Sequence, residues 1–63
     1  MTNLKKVRES KGMSQSSLSE KSGVNLRTLQ MFEQGNRDIN KAQVMTVIAL
    51  AEALGCEIYD IVE

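Results

Sequence analysis

Apolar positions along this chain recur at helical intervals, and glycines interrupt them. Leu4 and Val7 mark the inner side of a first helix over residues 3–11, with Thr2 or Asn3 as cap and Gly12 just past its end. Ser14 is a natural cap for a second helix, Gln15 to Ser22, and Asn25 for a third, Leu26 to Gln34. The spacing of Leu18, Val24, Leu29 and Phe32 turns all four toward one shared core. Gly23 stands between these helices, where a sharp turn needs a residue that tolerates positive φ. Ser19 is small where the two helices must approach closely.

Residues 36–41 read as a loop pinned to the core by Ile39. Asn40 and Gln43 then fit a capping box for a fourth helix over residues 41–54. Val44, Val47, Ile48, Ala51 and Leu54 form its inner stripe, widened by Leu50. Gly55 closes it, and residues 57–62 form a short last helix with Ile58, Ile61 and Val62 inward. No strand pattern, repeat or linker competes. The expected fold is all-α, a compact five-helix single domain over residues 1–63, with helices 2 and 3 as a helix-turn-helix.

The outer face of the third helix carries Asn25, Leu26, Arg27, Gln30, Met31 and Gln34. A merely solvated face usually holds more charge. Amides, one guanidinium and apolar tips suit the reading of base edges in a DNA major groove.

Sixty-three residues with one Cys and no His admit no intramolecular disulfide, no His-containing zinc site and no Cys–His dyad. Neither a phosphate-binding glycine loop nor a paired-carboxylate motif is present, so no enzyme, metal or cofactor is expected. No apolar run approaches the roughly 20 residues that span a bilayer, and no signal peptide is evident, so a cytoplasmic location is expected. A net charge of zero conceals a strong asymmetry. Residues 1–41 hold eight bases against four acids, a net +4, while residues 42–63 hold four acids and no base. That division fits one face for a polyanion and another turned away from it.

With Ser-Gln-x-x-Leu, Ser-Gly-Val, Thr-Leu-x-x-Phe-Glu-x-Gly and a final Ala-Leu-Gly in view, the chain resembles the Cro/C1-type, or XRE-like, helix-turn-helix family over essentially its whole length. The resemblance implies a lambda-repressor-like DNA-binding fold of bacterial, phage or mobile-element origin. It implies base reading by Leu26, Arg27, Gln30 and Met31, and phosphate contacts from Gln15, Thr28, Asn36, Arg37 and Lys41. Leu26 and Met31 are apolar where amides are frequent, which favours contact with thymine methyl groups. Ser22 replaces a usually apolar residue before the turn glycine, where looser packing is expected. Arg8 and Glu33 match positions that form a partly buried salt bridge in the family. Cys56 occupies an apolar slot and reads as a small buried hydrophobe.

A second apolar strip, Met45, Ala49 and Ala53, is expected to face away from the core, and Tyr59 with it. Together they form a self-complementary patch for a homodimer on a pseudo-palindromic operator in double-stranded DNA. The expected function is a sequence-specific transcriptional regulator, and a repressor. Two alternatives are an antitoxin-type autoregulator whose apolar strip binds a toxin, and a protein-interaction adaptor that has lost DNA binding.

Overall fold

The computed structural model describes residues 1–63 as four α-helices and two single 3-10 turns, without a strand. The helices are α1 (Asn3–Ser10), α2 (Gln15–Ser22), α3 (Leu26–Gln34) and α4 (Val44–Leu54). The 3-10 turns are Ile39–Lys41, between α3 and α4, and Ile58–Asp60, after α4.

Capping side chains set most of these boundaries. Thr2 Oγ1 accepts the Lys5 N–H at 3.3 Å and opens α1. The same hydroxyl donates to the Glu33 carbonyl at 3.3 Å, tying the start of α1 to the end of α3. Ser14 Oγ accepts the Ser17 N–H at 3.0 Å and opens α2. At the end of α3, Gly35 turns left-handed at φ 79°, and the Asn36 N–H reaches back to the Met31 carbonyl at 3.0 Å.

One apolar cluster holds the elements together. Leu4, Leu18, Leu29, Leu50 and Ile61 are its fully buried members, each from a different segment. Burying a side chain of this size contributes about 1.5–3 kcal/mol. α2 packs against both α3 and α4, and α1 closes the other side against α3 and the last turn. Residues 62–63 tie the end of the chain to α1 and to the Ile39–Lys41 turn: Asn3 Nδ2 donates to the Val62 carbonyl at 2.9 Å, and the Glu63 N–H donates to Asn40 Oδ1 at 2.7 Å.

The second half of the chain departs from the expected five helices. The fourth helix begins at Val44, three residues later than the sequence reading places it. Asp38 intervenes: its Oδ1 accepts the Asn40 N–H at 2.9 Å and starts a 3-10 turn instead. Ala42 is then extended, and Gln43 caps α4 without a side-chain bond, so the Asn40–Gln43 capping box does not form. The expected last helix is the single turn Ile58–Asp60.

α4 keeps Val47, Ala51 and Leu54 of its expected stripe in the core, but the edges of that stripe differ. Leu50, read as a flank, is wholly buried, whereas Val44 is 64% exposed. Ala53, expected outside with Met45 and Ala49, lies in the core. Residues four apart on a helix drift by about 40° per step. The strip therefore runs from solvent at Met45, through half-buried Ala49, into the core at Ala53. Ile58, expected inward, is exposed, while Ile61 takes the core position.

Candidate nucleic-acid interface

The α2–α3 corner is fixed by short local bonds. Gly23 ends α2 at φ 76°, with its N–H on the Ser19 carbonyl at 2.9 Å. A side chain at that φ would be strained, so glycine is required there. Ser19 Oγ donates to the Val24 carbonyl at 2.6 Å. Ser22 Oγ accepts the Val24 N–H at 3.1 Å, so the residue expected to loosen the corner instead satisfies its backbone. Asn25 Oδ1 then accepts the Arg27 and Thr28 N–H groups at 2.9 and 3.3 Å and opens α3.

This start sets which side of α3 faces out. Leu29, Phe32 and Glu33 are buried. Leu26 and Arg27 are exposed at the start of the helix, and Gln30 and Met31 are half-buried farther along it. The Arg27 guanidinium is uncommitted, because the chain's one ion pair joins Arg8 and Glu33. Four side chains expected at phosphates, those of Thr28, Asn36, Arg37 and Lys41, line one open cleft beside α3. Phe32 contributes to that cleft, and the Arg37 guanidinium lies 5.8 Å from its ring centroid. Asp38 also lines the cleft, the one carboxylate beside its two cations.

Five further residues line the cleft without having been expected at DNA: Phe32, Asp38 and Ala42, and Gln43 and Thr46 at the start of α4. Gln43 fits a capping box by sequence, but its side chain makes no cap bond and is free to line the cleft. The signal is Asp38, a strong turn former six residues before the apolar run that opens at Val44. The fifth residue expected at phosphate, Gln15, lies outside the cleft. Its Nε2 donates to Glu33 Oε1 at 3.0 Å, and its Oε1 accepts from Gln30 Nε2 at 3.4 Å.

Behind this face sits the Arg8–Glu33 pair. Arg8 Nε meets Glu33 Oε2 at 2.6 Å and Arg8 Nη2 meets Oε1 at 3.0 Å, a two-point contact with the Glu33 side chain almost wholly buried. Arg8 Nη1 also donates to the Met13 carbonyl at 2.7 Å. The hydrogen bond to Glu33 holds the Arg8 pKa above its ordinary value.

The four acids of residues 42–63, Glu52, Glu57, Asp60 and Glu63, are all exposed, and none lines the α3 cleft. Burial pushes the half-buried Cys56 thiol above its usual pKa, so it is a packing group with little thiolate character. No helix is long and apolar enough to cross a membrane.

Comparison with known proteins agrees with this fold. The helix-turn-helix family matches residues 4–61. No curated protein matches by sequence. A similar solved structure is the high-resolution crystal structure of the restriction-modification controller protein C.AhdI from Aeromonas hydrophila. It is 29% identical, with a TM-score of 0.81, over 92% of this chain and 83% of that one. The chain belongs to the Cro/C1-type helix-turn-helix family of DNA-binding transcriptional regulators.

Proposed function

We propose that this protein is a sequence-specific reader of double-stranded DNA that represses transcription by occupying promoter DNA. α3 enters the major groove. Arg27 and Gln30 hydrogen-bond base edges, while Leu26 and Met31 contact thymine methyl groups. Thr28, Asn36, Arg37 and Lys41 hold the phosphates that fix register. The observation that carries this reading is the convergence of those four side chains on one cleft beside an α3 face whose guanidinium has no internal partner.

Selection from random duplexes at stated salt concentrations tests it. The expected result is an enriched pseudo-palindrome. With two or three cations at phosphate or base per protomer, log affinity should fall with log salt at a slope of about −2 to −3 per protomer. Absence of enrichment and of any salt-dependent shift would favour the adaptor alternative.

A palindromic site requires two copies. Met45 and Tyr59 are 69% and 75% exposed, and Val44 and Ile58 are exposed apolar neighbours in sequence. These four side chains form the proposed dimer patch, with Ala49 at its half-buried edge and Ala53 excluded. Met45→Glu combined with Tyr59→Glu should abolish dimers in sedimentation and leave the monomer folded. A wild-type protein that is monomeric at micromolar concentration, with and without operator, removes the patch. Co-purification of a toxin on the same surface would favour the antitoxin alternative.

A further inference from the structure

A side-chain amide can be turned either way, offering its N–H groups or its oxygen in a given direction. Gln30 would read different bases in its two orientations. Adenine presents an amino donor and the N7 acceptor in the major groove, whereas guanine presents two acceptors, O6 and N7. Something must therefore choose which end of Gln30 faces the groove.

The choice begins at Glu33. Its carboxylate is locked by Arg8 at 2.6 and 3.0 Å and can only accept hydrogen bonds. Gln15 must therefore turn its Nε2 toward Glu33, as observed at 3.0 Å. That leaves Gln15 Oε1 on the opposite side, again an acceptor only. Gln30 turns its own Nε2 toward that oxygen at 3.4 Å. Gln30 is left with Oε1 and one amide hydrogen, one acceptor and one donor. That pair complements adenine and mismatches guanine.

We propose that Gln15 is a positioning residue: through it, the buried Arg8–Glu33 pair fixes the orientation of the Gln30 amide and makes Gln30 select adenine. The proposal rests on the reading of α3 as the base-contacting helix. It gives Gln15 a role that a phosphate contact alone does not supply, because a phosphate contact affects all sequences alike.

The test uses the whole chain and its selected operator. Loss of base preference in Gln30→Ala first identifies the base pair that Gln30 reads. Duplexes with adenine or guanine at that position are then competed against each other for wild type and for Gln15→Met. Wild type should prefer adenine by about 5- to 150-fold, the range of one good bidentate contact. In Gln15→Met the ratio should fall about fivefold or more, beyond any uniform loss of affinity, as the Gln30 amide becomes free to turn. In the free wild-type protein, nuclear Overhauser contacts should place the Gln30 amide protons beside the Gln15 side chain, which tests the relay without a variant.

An adenine-to-guanine ratio unchanged in Gln15→Met, with both affinities lowered equally, would make Gln15 a phosphate or scaffold contact and overturn the relay alone. Guanine preference at the Gln30-dependent position would do the same. Failure to bind any duplex would overturn the reading of α3 as well, so the two failures are distinguishable.

Discussion

Glu33→Gln should remove most of the stability of this domain. Gln keeps the shape of Glu33 but strands the Arg8 guanidinium, whose side chain is only 10% exposed, without its counter-charge. It also sets an amide N–H group against donors from Arg8 or Gln15 at a site where two Arg8 nitrogens and Gln15 Nε2 all donate. Breaking a buried pair from one side costs about 3–5 kcal/mol. Whole domains are stable by about 0.05–0.15 kcal/mol per residue, so a chain of this length has about 3–9 kcal/mol in all. Urea unfolding at neutral pH should therefore show a large fall in midpoint, or a chain already unfolded. Replacing both partners, Arg8→Met with Glu33→Leu, should recover much of the loss, because neither charge is then left alone. A Glu33→Gln change within about 0.5 kcal/mol, the range of ordinary surface substitutions, would contradict the buried pair.

The second large effect is on DNA discrimination. Arg27→Ala should lower the preference for operator over scrambled duplex by about 5- to 150-fold per protomer, the loss of one bidentate guanine contact. Binding to the scrambled duplex should fall much less. Arg27→Lys should not restore the preference, because an ammonium cannot present the planar fork that matches guanine O6 and N7. The alternative role, a phosphate clamp, has a different signature: equal losses on both duplexes and a salt slope smaller by about 1. The fold leaves the residue free for either role, since Arg27 is exposed and its backbone N–H is held by Asn25 Oδ1 at 2.9 Å.

The first half of the chain was legible because its signals are local. Ser14 and Asn25 cap the helices that follow them, and Gly23 and Gly35 end the ones before. Each acts over a few residues, and each agrees with the apolar spacing around it. The Arg8–Glu33 pair followed from the resemblance, because the two residues are 25 apart and no local signal joins them.

The second half was less legible because local signals compete there. Asp38 and Asn40 are both good caps, and only the fold decides that Asp38 prevails. α4 is apolar on nearly every side, so its sequence names a helix without fixing the edges of its buried face. Packing against α2 turns Leu50 to the centre and carries Ala53 inward with it. For the interface, four of the cleft-lining side chains, Thr28, Asn36, Arg37 and Lys41, followed from the resemblance. The Gln15–Gln30 contact did not, because it links residues on two helices through an amide orientation that only Glu33 determines.

The most direct measurement is a nuclear magnetic resonance titration of the labelled protein with its selected duplex. The largest shifts should fall on Leu26, Arg27, Gln30 and Met31, flanked by Thr28 and residues 36–41. In a dimer formed before the duplex is added, the exposed acids of residues 42–63 should stay nearly silent. Shifts concentrated on α4 and the Ile58–Asp60 turn, with α3 unmoved, would contradict base contact by α3.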